Sequence, residues 1–257
     1  MKIVLIGAGK LAWHLGPALI KTGAEIVQVY SRDLGNAEKL GARIAAKACN
    51  QINQLVPNAD LYILAVADQG IKPVAQQLGF ELGVQQNLVH TSGATPEAIF
   101  QGVATSYGVF YPLQSFSKEV EVDFTKVPFC VSANTPELEN KLHRLARQLS
   151  PLVYQLNDDQ RAQLHLAAIF ANNFVNHLIG ISHDLLAESA IPKDILQNII
   201  RTTVIKLESG NAKELQTGPA VRKDKNTLKR HEARLENQPE ILELYQKLSE
   251  SIIKKTE

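Results

Sequence analysis

Hydrophobic residues in the first 156 positions fall into short runs that alternate with segments of helical periodicity. Lys2–Ile6 and Glu25–Ser31 are short runs rich in branched residues, and Leu61–Val66 is continuously apolar, as in strands covered on both faces. Strands that alternate with helices predict a doubly wound, mostly parallel sheet. Further strand-like runs lie at 87–91, 105–110, 128–131 and 153–156, and helical patterns lie at 10–21, 34–46, 70–78, 96–100 and 136–149.

The pattern changes near Asp158. One long helical stretch runs from Gln160 to Ala190 without any strand-like run, and two more helical segments follow at Ile195–Glu208 and Ile241–Lys254. We therefore predict a sheet domain over residues 1–156 and an all-α domain over residues 157–257. The helical part is small for an independent core, so we expect it to pack against the first domain or a second subunit.

The turn after the first strand reads Gly7-Ala8-Gly9-Lys10-Leu11-Ala12, a G-x-G-x-x-A pattern between a strand and a helix. This is the arrangement of a dinucleotide-binding Rossmann domain, in which the second glycine lets the backbone approach the pyrophosphate. The phosphates then lie at the helix N-terminus, where free N–H groups favour an anion. We predict that Gly7, Ala8, Gly9, Lys10 and Leu11 bind a nucleotide cofactor. A glycine turn without a ligand is the alternative.

The residues after the second strand bear on the choice between NADP and NAD. An acidic residue there binds the ribose 2′-hydroxyl of NAD, whereas an arginine accommodates the 2′-phosphate of NADP. Ser31 and Arg32 follow the strand directly, and a guanidinium can bind a phosphate through two hydrogen bonds. NADP is therefore favoured, and Asp33 leaves NAD open. Val66 and Ala67, after the third predicted strand, are expected to lie against the dinucleotide.

Composition excludes several classes of protein. The chain has 45% hydrophobic and 21% charged residues and a formal net charge of +1, so neither nucleic acid nor an acidic membrane is an expected partner. Two cysteines, Cys49 and Cys130, are too few for a disulfide scaffold or a clustered metal site. Met1 leads straight into a strand, and no apolar run approaches the ~20 residues that span a bilayer. We expect a soluble, cytoplasmic protein.

Two polar loops follow predicted strands at the sheet edge where α/β proteins bind ligands. His90-Thr91-Ser92-Gly93 places an imidazole and hydroxyls beside a glycine, which suits the polarisation of a carbonyl near a nicotinamide. We predict that His90 contacts the cofactor and that Ser92 takes part in catalysis. The alternative is that Thr91 or Ser92 caps the following helix. In the second loop, Gln114 is expected to contact substrate or to shape the turn.

The long helix carries a histidine and asparagines among apolar residues. Asn172 lies seven residues beyond His165, at nearly the same angular position, and Asn173 is displaced by about 80° at 3.6 residues per turn. Amides are costly to bury without partners, so a ligand or another backbone is expected beside them. We predict His165 and Asn173 as catalytic residues. A histidine that serves only the core or the surface is the alternative.

A Gly-Pro turn in the helical half is followed by charged residues. Gly218-Pro219 leads to Arg222 and, further on, to His231. Arg222 can bind a substrate carboxylate, and we predict both Arg222 and His231 at the substrate. A solvent-exposed basic loop is the alternative. The spacing supports no metal site, nucleophile elbow or P-loop.

These motifs occur together, in this order, in one family. The glycine turn, Ala65–Asp68, His90–Ala94, Tyr111–Phe116, His165 through Asn173, and the motif from Thr217 to His231 resemble a bacterial family of Rossmann-like proteins with a helical C-terminal domain of unknown function. That family is similar to pyrroline-5-carboxylate reductase, ketopantoate reductase and the 3-hydroxyisobutyrate dehydrogenase group. The resemblance implies a helical domain like that of 6-phosphogluconate dehydrogenase. It also implies hydride transfer from NADPH to a small C=O or C=N substrate, and dimers built through the helical half.

The sequence departs from those relatives at the expected catalytic lysine. The 3-hydroxyisobutyrate dehydrogenase group places a lysine one turn before an asparagine, whereas here Ile169 precedes Asn173. His165, one further turn back, is the candidate replacement. Family members also often carry His at the position of Tyr111 and Gly at that of Lys223. We predict an NADP-dependent oxidoreductase of a small, carboxylate-bearing substrate. A non-catalytic NADP(H) sensor is the main alternative, and a scaffold without nucleotide binding is another.

Overall fold

The structure is a computed structural model that describes residues 1–77 and 87–255. Within them, eight strands form one mixed sheet. The strands are β1 (Lys2–Ile6), β2 (Glu25–Tyr30), β3 (Lys47–Cys49), β4 (Leu61–Leu64), β5 (Asn87–His90), β6 (Tyr107–Pro112), β7 (Phe129–Ala133) and β8 (Val153–Gln155). Their order in the sheet is β3-β2-β1-β4-β5-β6-β7-β8. Neighbouring strands are parallel except β6 and β7, which pair antiparallel.

The doubly wound sheet and its helical C-terminal part confirm the predicted fold class. Chain order reverses between β1 and β4, because β2 and β3 lie on one side of β1 and all later strands lie on the other. At such a point the connecting loops diverge, so a crevice opens at the carboxyl ends of the two strands. The antiparallel pairing of β6 with β7 follows from their connection, 113–128, which contains only the short 3₁₀ turn Phe124–Lys126 and no crossover helix.

Nine α-helices lie within the described residues, and most agree with the sequence pattern. The helices are α1 (Lys10–Lys21), α2 (Leu34–Ile44), α3 (Asp68–Gln76), α4 (Pro136–Leu149), α5 (Asp158–Ala168), α6 (Val175–Ala187), α7 (Gln197–Ser209), α8 (Lys225–Arg234) and α9 (Pro239–Lys255). The prediction omitted the three-residue strand β3 and gave no bounds for α8. It also ended one helix at Leu78, which lies outside the described residues.

Both faces of the sheet are covered, as the continuous apolar strands require. On β1, Ile3 and Leu5 belong to one hydrophobic cluster, and Val4 and Ile6 belong to another. All four side chains are completely buried. Successive side chains of a strand point to opposite faces, so a strand that is buried on both must be apolar at every position.

The long C-terminal helix is not uniformly α-helical. Between α5 and α6, residues Ile169–Phe174 form a π-helical segment, so the whole helix runs continuously from Asp158 to Ala187. The periodicity did not predict this segment. By length and composition alone this helix could cross a membrane. The mean hydropathy of its most apolar window is 1.3, and none of the residues in that window is buried. The expectation that no apolar stretch reaches this length therefore needs correction.

Contacts divide the chain into two compact units, Met1–His177 and Leu178–Glu257. The first unit holds the whole sheet, α5 and the π-helical segment. The second unit is entirely helical apart from its connections. The predicted boundary after residue 156, where strands cease, stays our proposal for the start of the helical domain.

Candidate functional site

A cavity of 540 Å³ lies at the carboxyl ends of β1 and β4, lined by the glycine turn and by Ala65, Val66 and Ala67. Gly7 has a φ of +120°, and a Cβ on it would lie 2.2 Å from the carbonyl oxygen of Ala65. Gly9 is different, because among the described residues no atom, apart from those of its neighbours in the chain, lies within 4 Å of the place where its Cβ would be. Gly7 thus serves the fold, and Gly9 leaves open space at the N-terminus of α1, as a pyrophosphate site requires.

The same cavity extends to Ser31 and Arg32. Arg32 is exposed and has no ion-pair partner among residues 1–77 and 87–255. Asp33, which left NAD open, is the N-cap of α2, and its side chain accepts the N–H of Asn36. A carboxylate in that role is directed at its own helix, so the geometry favours a 2′-phosphate beside Ser31 and Arg32.

A second cavity, of 310 Å³, lies beside the loop after β6. His165, Asn172 and Asn173 from the long helix line it together with Tyr111 and Gln114. No Asp, Glu, Lys or Arg is among the residues that line this cavity. The cavity therefore suits an uncharged polar group of a substrate. The remaining lining residues are Leu113, Ser115, Ala168, Ile169 and Ala171.

Tyr111 and His165 form a polar pair at this cavity. The tyrosine hydroxyl lies 3.3 Å from Nδ1 of His165, and the two rings meet edge to face. Burial raises the pKa of Tyr111 to about 12, so its hydroxyl stays protonated at neutral pH. A Cβ on Gly93 would lie 2.7 Å from Nδ1 of His165 and 2.9 Å from the hydroxyl of Tyr111. Only a glycine at position 93 lets the two rings come together over the loop after β5.

The π-helical segment changes the angular position of Asn173, and both Asn172 and Asn173 line the cavity. A π-turn closes hydrogen bonds to the fifth residue instead of the fourth, and so takes more residues than an α-turn. Asn173, which an α-helix would displace from His165, is thereby turned back toward the face of His165. The Asn172 side-chain amide also lies 3.4 Å from the side-chain oxygen of Asn173. π-segments occur frequently at functional sites.

The structure gives His90 and Ser92 supporting positions. His90 is completely buried, and its Nδ1 accepts the N–H of Ser92. Burial, followed by the nearby Arg161 cation, lowers the pKa of His90 to about 4. The Ser92 hydroxyl accepts the N–H groups of Ala94 and Thr95 and is also buried. Side chains in these positions shape the loop, so we no longer assign His90 to direct cofactor contact or Ser92 to catalysis.

Arg161 is a residue that the sequence reasoning missed. It is only 1% exposed, and its guanidinium donates to the carbonyl of Thr95 at 2.5 Å and to Asp158 at 2.6 Å. Asp158 also accepts the N–H of Glu97. The start of α5 is thereby fastened to the loop after β5, one helical turn before His165. The spacing of Asp158 and Arg161, three residues apart on a helix, is the pattern that could have indicated the pair.

Arg222 and His231 lie in the second unit. Both are exposed, and Nδ1 of His231 lies 2.8 Å from the hydroxyl of Tyr245. Asp224 caps α8 by accepting the N–H and the hydroxyl of Thr227. The role of Arg222 and His231 at the substrate stays a prediction. Within the described part of the chain, no three His, Cys, Asp or Glu side chains are grouped so that they could hold a metal ion.

Comparison with known proteins agrees with the sheet and the glycine cavity. Residues 2–91 match a family described as NADP oxidoreductase, coenzyme F420-dependent, and residues 127–252 match the domain of unknown function DUF2520. The chain is 38% identical to a candidate NADP oxidoreductase from Bacteroides fragilis, with 98% of each chain covered and a TM-score of 0.94. The chain belongs to this family of NADP oxidoreductases with a DUF2520 domain. The predicted resemblance is thus confirmed.

More distant structures share the fold. A 1-pyrroline-5-carboxylate reductase from Streptococcus pyogenes is 15% identical over 99% of this chain and 98% of its own, with a TM-score of 0.61. An imine reductase from Myxococcus stipitatus in complex with NADP⁺ is 15% identical over 99% and 92%, with a TM-score of 0.63. At this identity the likeness concerns the fold alone. A search of curated proteins found no match.

Proposed function

We propose that this DUF2520-family protein is an NADP-dependent oxidoreductase that transfers a hydride to a small C=O or C=N substrate. The supporting observation is the placement of two cavities at the carboxyl edge of one sheet. One has the glycine cradle and Arg32, and the other has an ionisable histidine with polar neighbours. A cofactor cradle beside a proton-donating group is what reduction of a carbonyl or imine requires.

The residues of the first cavity fit NADP. Gly7 lines this cavity while its own N–H donates to the carbonyl of Tyr30. Ala8 and Gly9 would offer backbone N–H groups to the pyrophosphate, with open space at Gly9 and with Lys10 and Leu11 in the first turn of α1. Ser31 and Arg32 would bind the 2′-phosphate. When bound, the reduced nicotinamide supplies a hydride. Val66 is half-buried and Ala67 is small and exposed. Both follow β4 and line this cavity, where the dinucleotide would lie against them.

The residues of the second cavity would orient and protonate the substrate. His165 would give a proton to the oxygen or nitrogen of the substrate as hydride reaches the carbon. The Asn173 amide would hold the polar group in place, and Gln114 lines the same space. Because the cavity carries no arginine or lysine, a substrate carboxylate needs a cation from elsewhere. We assign that part to Arg222 with His231, supplied by a second copy of the chain.

NADPH binding and turnover test this proposal together. NADPH fluorescence should rise on mixing with the protein, and NADPH should be oxidised in the presence of a keto acid, an imine or an aldehyde from a panel. His165→Gln should lower turnover while the dissociation constant for NADPH is unchanged, because the imidazole lies outside the dinucleotide cavity. Binding without oxidation by any substrate would favour a sensor, and failure to bind any dinucleotide would favour a scaffold.

The proposal includes a cytoplasmic homodimer. Along the long helix Phe170 and Phe174 are exposed and contact one another, with Leu166 and Val175 exposed beside them. A second copy would cover this face and bring its own Arg222 to the site. Small-molecule substrate and cofactor are the only other partners that the proposal includes.

A further inference from the structure

The pair of Tyr111 and His165 carries an inference about how the proton is delivered. Sequence reasoning named His165 as the proton donor and gave Tyr111 no role. In the structure the two side chains approach at one defined nitrogen, since the Tyr111 hydroxyl lies 3.3 Å from Nδ1. The other ring nitrogen, Nε2, has no hydrogen-bond partner among the residues that the structure describes.

We propose that Tyr111 is a positioning residue whose hydroxyl oxygen accepts a hydrogen bond from Nδ1–H of His165, so that Nε2 is the atom that carries the transferred proton. This inference rests on the proposed function. Which nitrogen of a histidine gains and loses a proton is set by the hydrogen bond that the other nitrogen makes. The same rule orients histidines that bind metals, through partners outside the ligand shell.

The chemistry of the proton transfer requires this direction of the hydrogen bond. In the charged imidazolium both nitrogens are donors, so Tyr111 can only accept at Nδ1. Nε2 then gives its proton to the oxygen or nitrogen of the substrate as the double bond takes up hydride at its carbon. The cofactor is oxidised, the substrate is reduced, and the neutral histidine keeps Nδ1–H on Tyr111. No side chain has to turn during the step.

The surroundings of the pair fix this geometry. Tyr111 is at the carboxyl end of β6, held by pairing with Cys130 of β7, and His165 is one turn beyond the fastened Arg161. Gly93 lies close to both Nδ1 and the hydroxyl, so that any side chain at this position would displace one of them. The pair is therefore rigid on three elements, as a group that orients a catalytic histidine must be.

Tyr111→Phe tests the assignment because it removes only the hydroxyl. We expect kcat to fall about tenfold to a hundredfold, with little change in KM or in the dissociation constant for NADPH. Tyr107→Phe is the matched control, since Tyr107 lies at the other end of the same strand and does not line the cavity. Turnover of Tyr107→Phe should equal that of the wild type. A Tyr111→Phe enzyme with wild-type kcat overturns the assignment.

Nitrogen NMR of the unliganded protein gives a readout that is independent of turnover. In ¹⁵N-histidine-labelled wild type, neutral His165 should be protonated at Nδ1, and Tyr111→Phe should shift the proton toward Nε2. A wild-type His165 protonated at Nε2 means that Tyr111 donates to Nδ1, which overturns the inference. Absence of NADPH oxidation by the wild type overturns the proposed function instead, and the NMR result then reports only the hydrogen bond.

Discussion

Gly7 and Gly9 lie two residues apart, and each lacks a side chain for a different physical reason. At Gly7 the reason is internal, because the backbone has a positive φ and a Cβ would collide with the Ala65 carbonyl. At Gly9 the backbone is extended and the surrounding space is open. Sequence alone assigns both glycines to one motif. The structure separates a residue needed for folding from a residue needed for the ligand.

Alanine at each position tests this separation. Gly7→Ala should lower the free energy of unfolding by several kcal/mol, because both the backbone and the Ala65 carbonyl must shift. Gly9→Ala should lower it by only about 1 kcal/mol, because alanine is a poorer N-cap than glycine but its Cβ enters open space. Gly9→Ala should nevertheless weaken NADPH binding at least tenfold. Denaturant unfolding and fluorescence titration measure the two effects, and equal affinity of Gly9→Ala and wild type would contradict the cofactor assignment.

His90 predicts an acid sensitivity of the fold. Burial, and then the Arg161 cation, lowers its pKa from 6.5 to about 4. Between these values the unfolded chain binds a proton at His90 and the folded protein does not, so the free energy of unfolding falls as the pH falls from about 6.5 to 4. The loss for this residue is about 3 kcal/mol at most.

The variant His90→Asn measures this contribution. Its side-chain oxygen can replace Nδ1 as the acceptor for the Ser92 N–H, and it gains no charge in acid. Urea unfolding between pH 7 and pH 4.5 should show a flatter pH dependence for the variant than for the wild type. Two parallel pH curves would mean that His90 does not contribute to the acid sensitivity.

At the scale of elements, the long helix combines a fixed start with an irregular middle. Arg161 and Asp158 fasten its first turn to the loop after β5, and the π-helical segment Ile169–Phe174 then changes its phase. Fixing the first turn places His165, and the change of phase places Asn173. In a regular α-helix Asn173 would be displaced by about 80° from His165.

Deletion of Ala171 from the π-helical segment tests its purpose. Removing one residue lets the segment become α-helical and keeps the phase of the helix beyond it. Helix content by circular dichroism and NADPH affinity should be unchanged. The deletion leaves Asn173 seven residues beyond His165, at nearly the same angular position in an α-helix, so turnover should stay within about tenfold of the wild type. Asn173→Ala removes the amide itself and should lower turnover about a hundredfold. A deletion variant as impaired as Asn173→Ala would contradict the view that the segment serves to keep Asn173 on the face of His165.

At the scale of the whole molecule, the long helix exposes apolar side chains that we propose a second copy of the chain covers. Phe170 is 63% exposed, and the helix is apolar enough to resemble a membrane span. A bilayer would, however, have to receive Asn172, Asn173 and Asn176, and unpaired amides are costly in hydrocarbon. A second copy of the chain can bury the phenylalanines while the asparagines stay at the site. Large exposed apolar patches commonly mark such interfaces.

Phe170→Glu tests the dimer. Light scattering should give the mass of two chains for the wild type and of one chain for Phe170→Glu, because a carboxylate cannot be buried in an apolar interface. Tyr154→Glu is the control, since Tyr154 is a comparably exposed aromatic residue on β8, outside the helix. A monomeric wild type would contradict the proposal. Flotation of the wild type with phospholipid vesicles would favour a membrane instead.

The sequence predicted the parts of the fold that depend on local pattern. Lys2–Ile6, the glycine turn and α1 are read directly from apolar runs and glycine spacing, and Pro136–Leu149 has the predicted bounds. The pattern missed β3, which is too short to show periodicity, and the π-helical segment, which differs from an α-helix by one residue per turn. It indicated His165 as a candidate site residue. It could not show that Arg161 binds the carbonyl of Thr95 or that the Tyr111 hydroxyl contacts His165, because each of these contacts joins residues far apart in the chain.

By itself the sequence determined the doubly wound sheet and the order of most of its elements, since short-range hydrophobic period and glycine spacing carry that information, and its motifs resembled those of one family of Rossmann-like proteins. Tertiary structure decided which polar residues meet. His90 and Ser92 looked like site residues in sequence, and burial made them supports of a loop. Tyr111 and His165, 54 residues apart, became a pair. Local periodicity sets where a side chain points along its own element, whereas the atoms it meets are fixed only when separate elements pack.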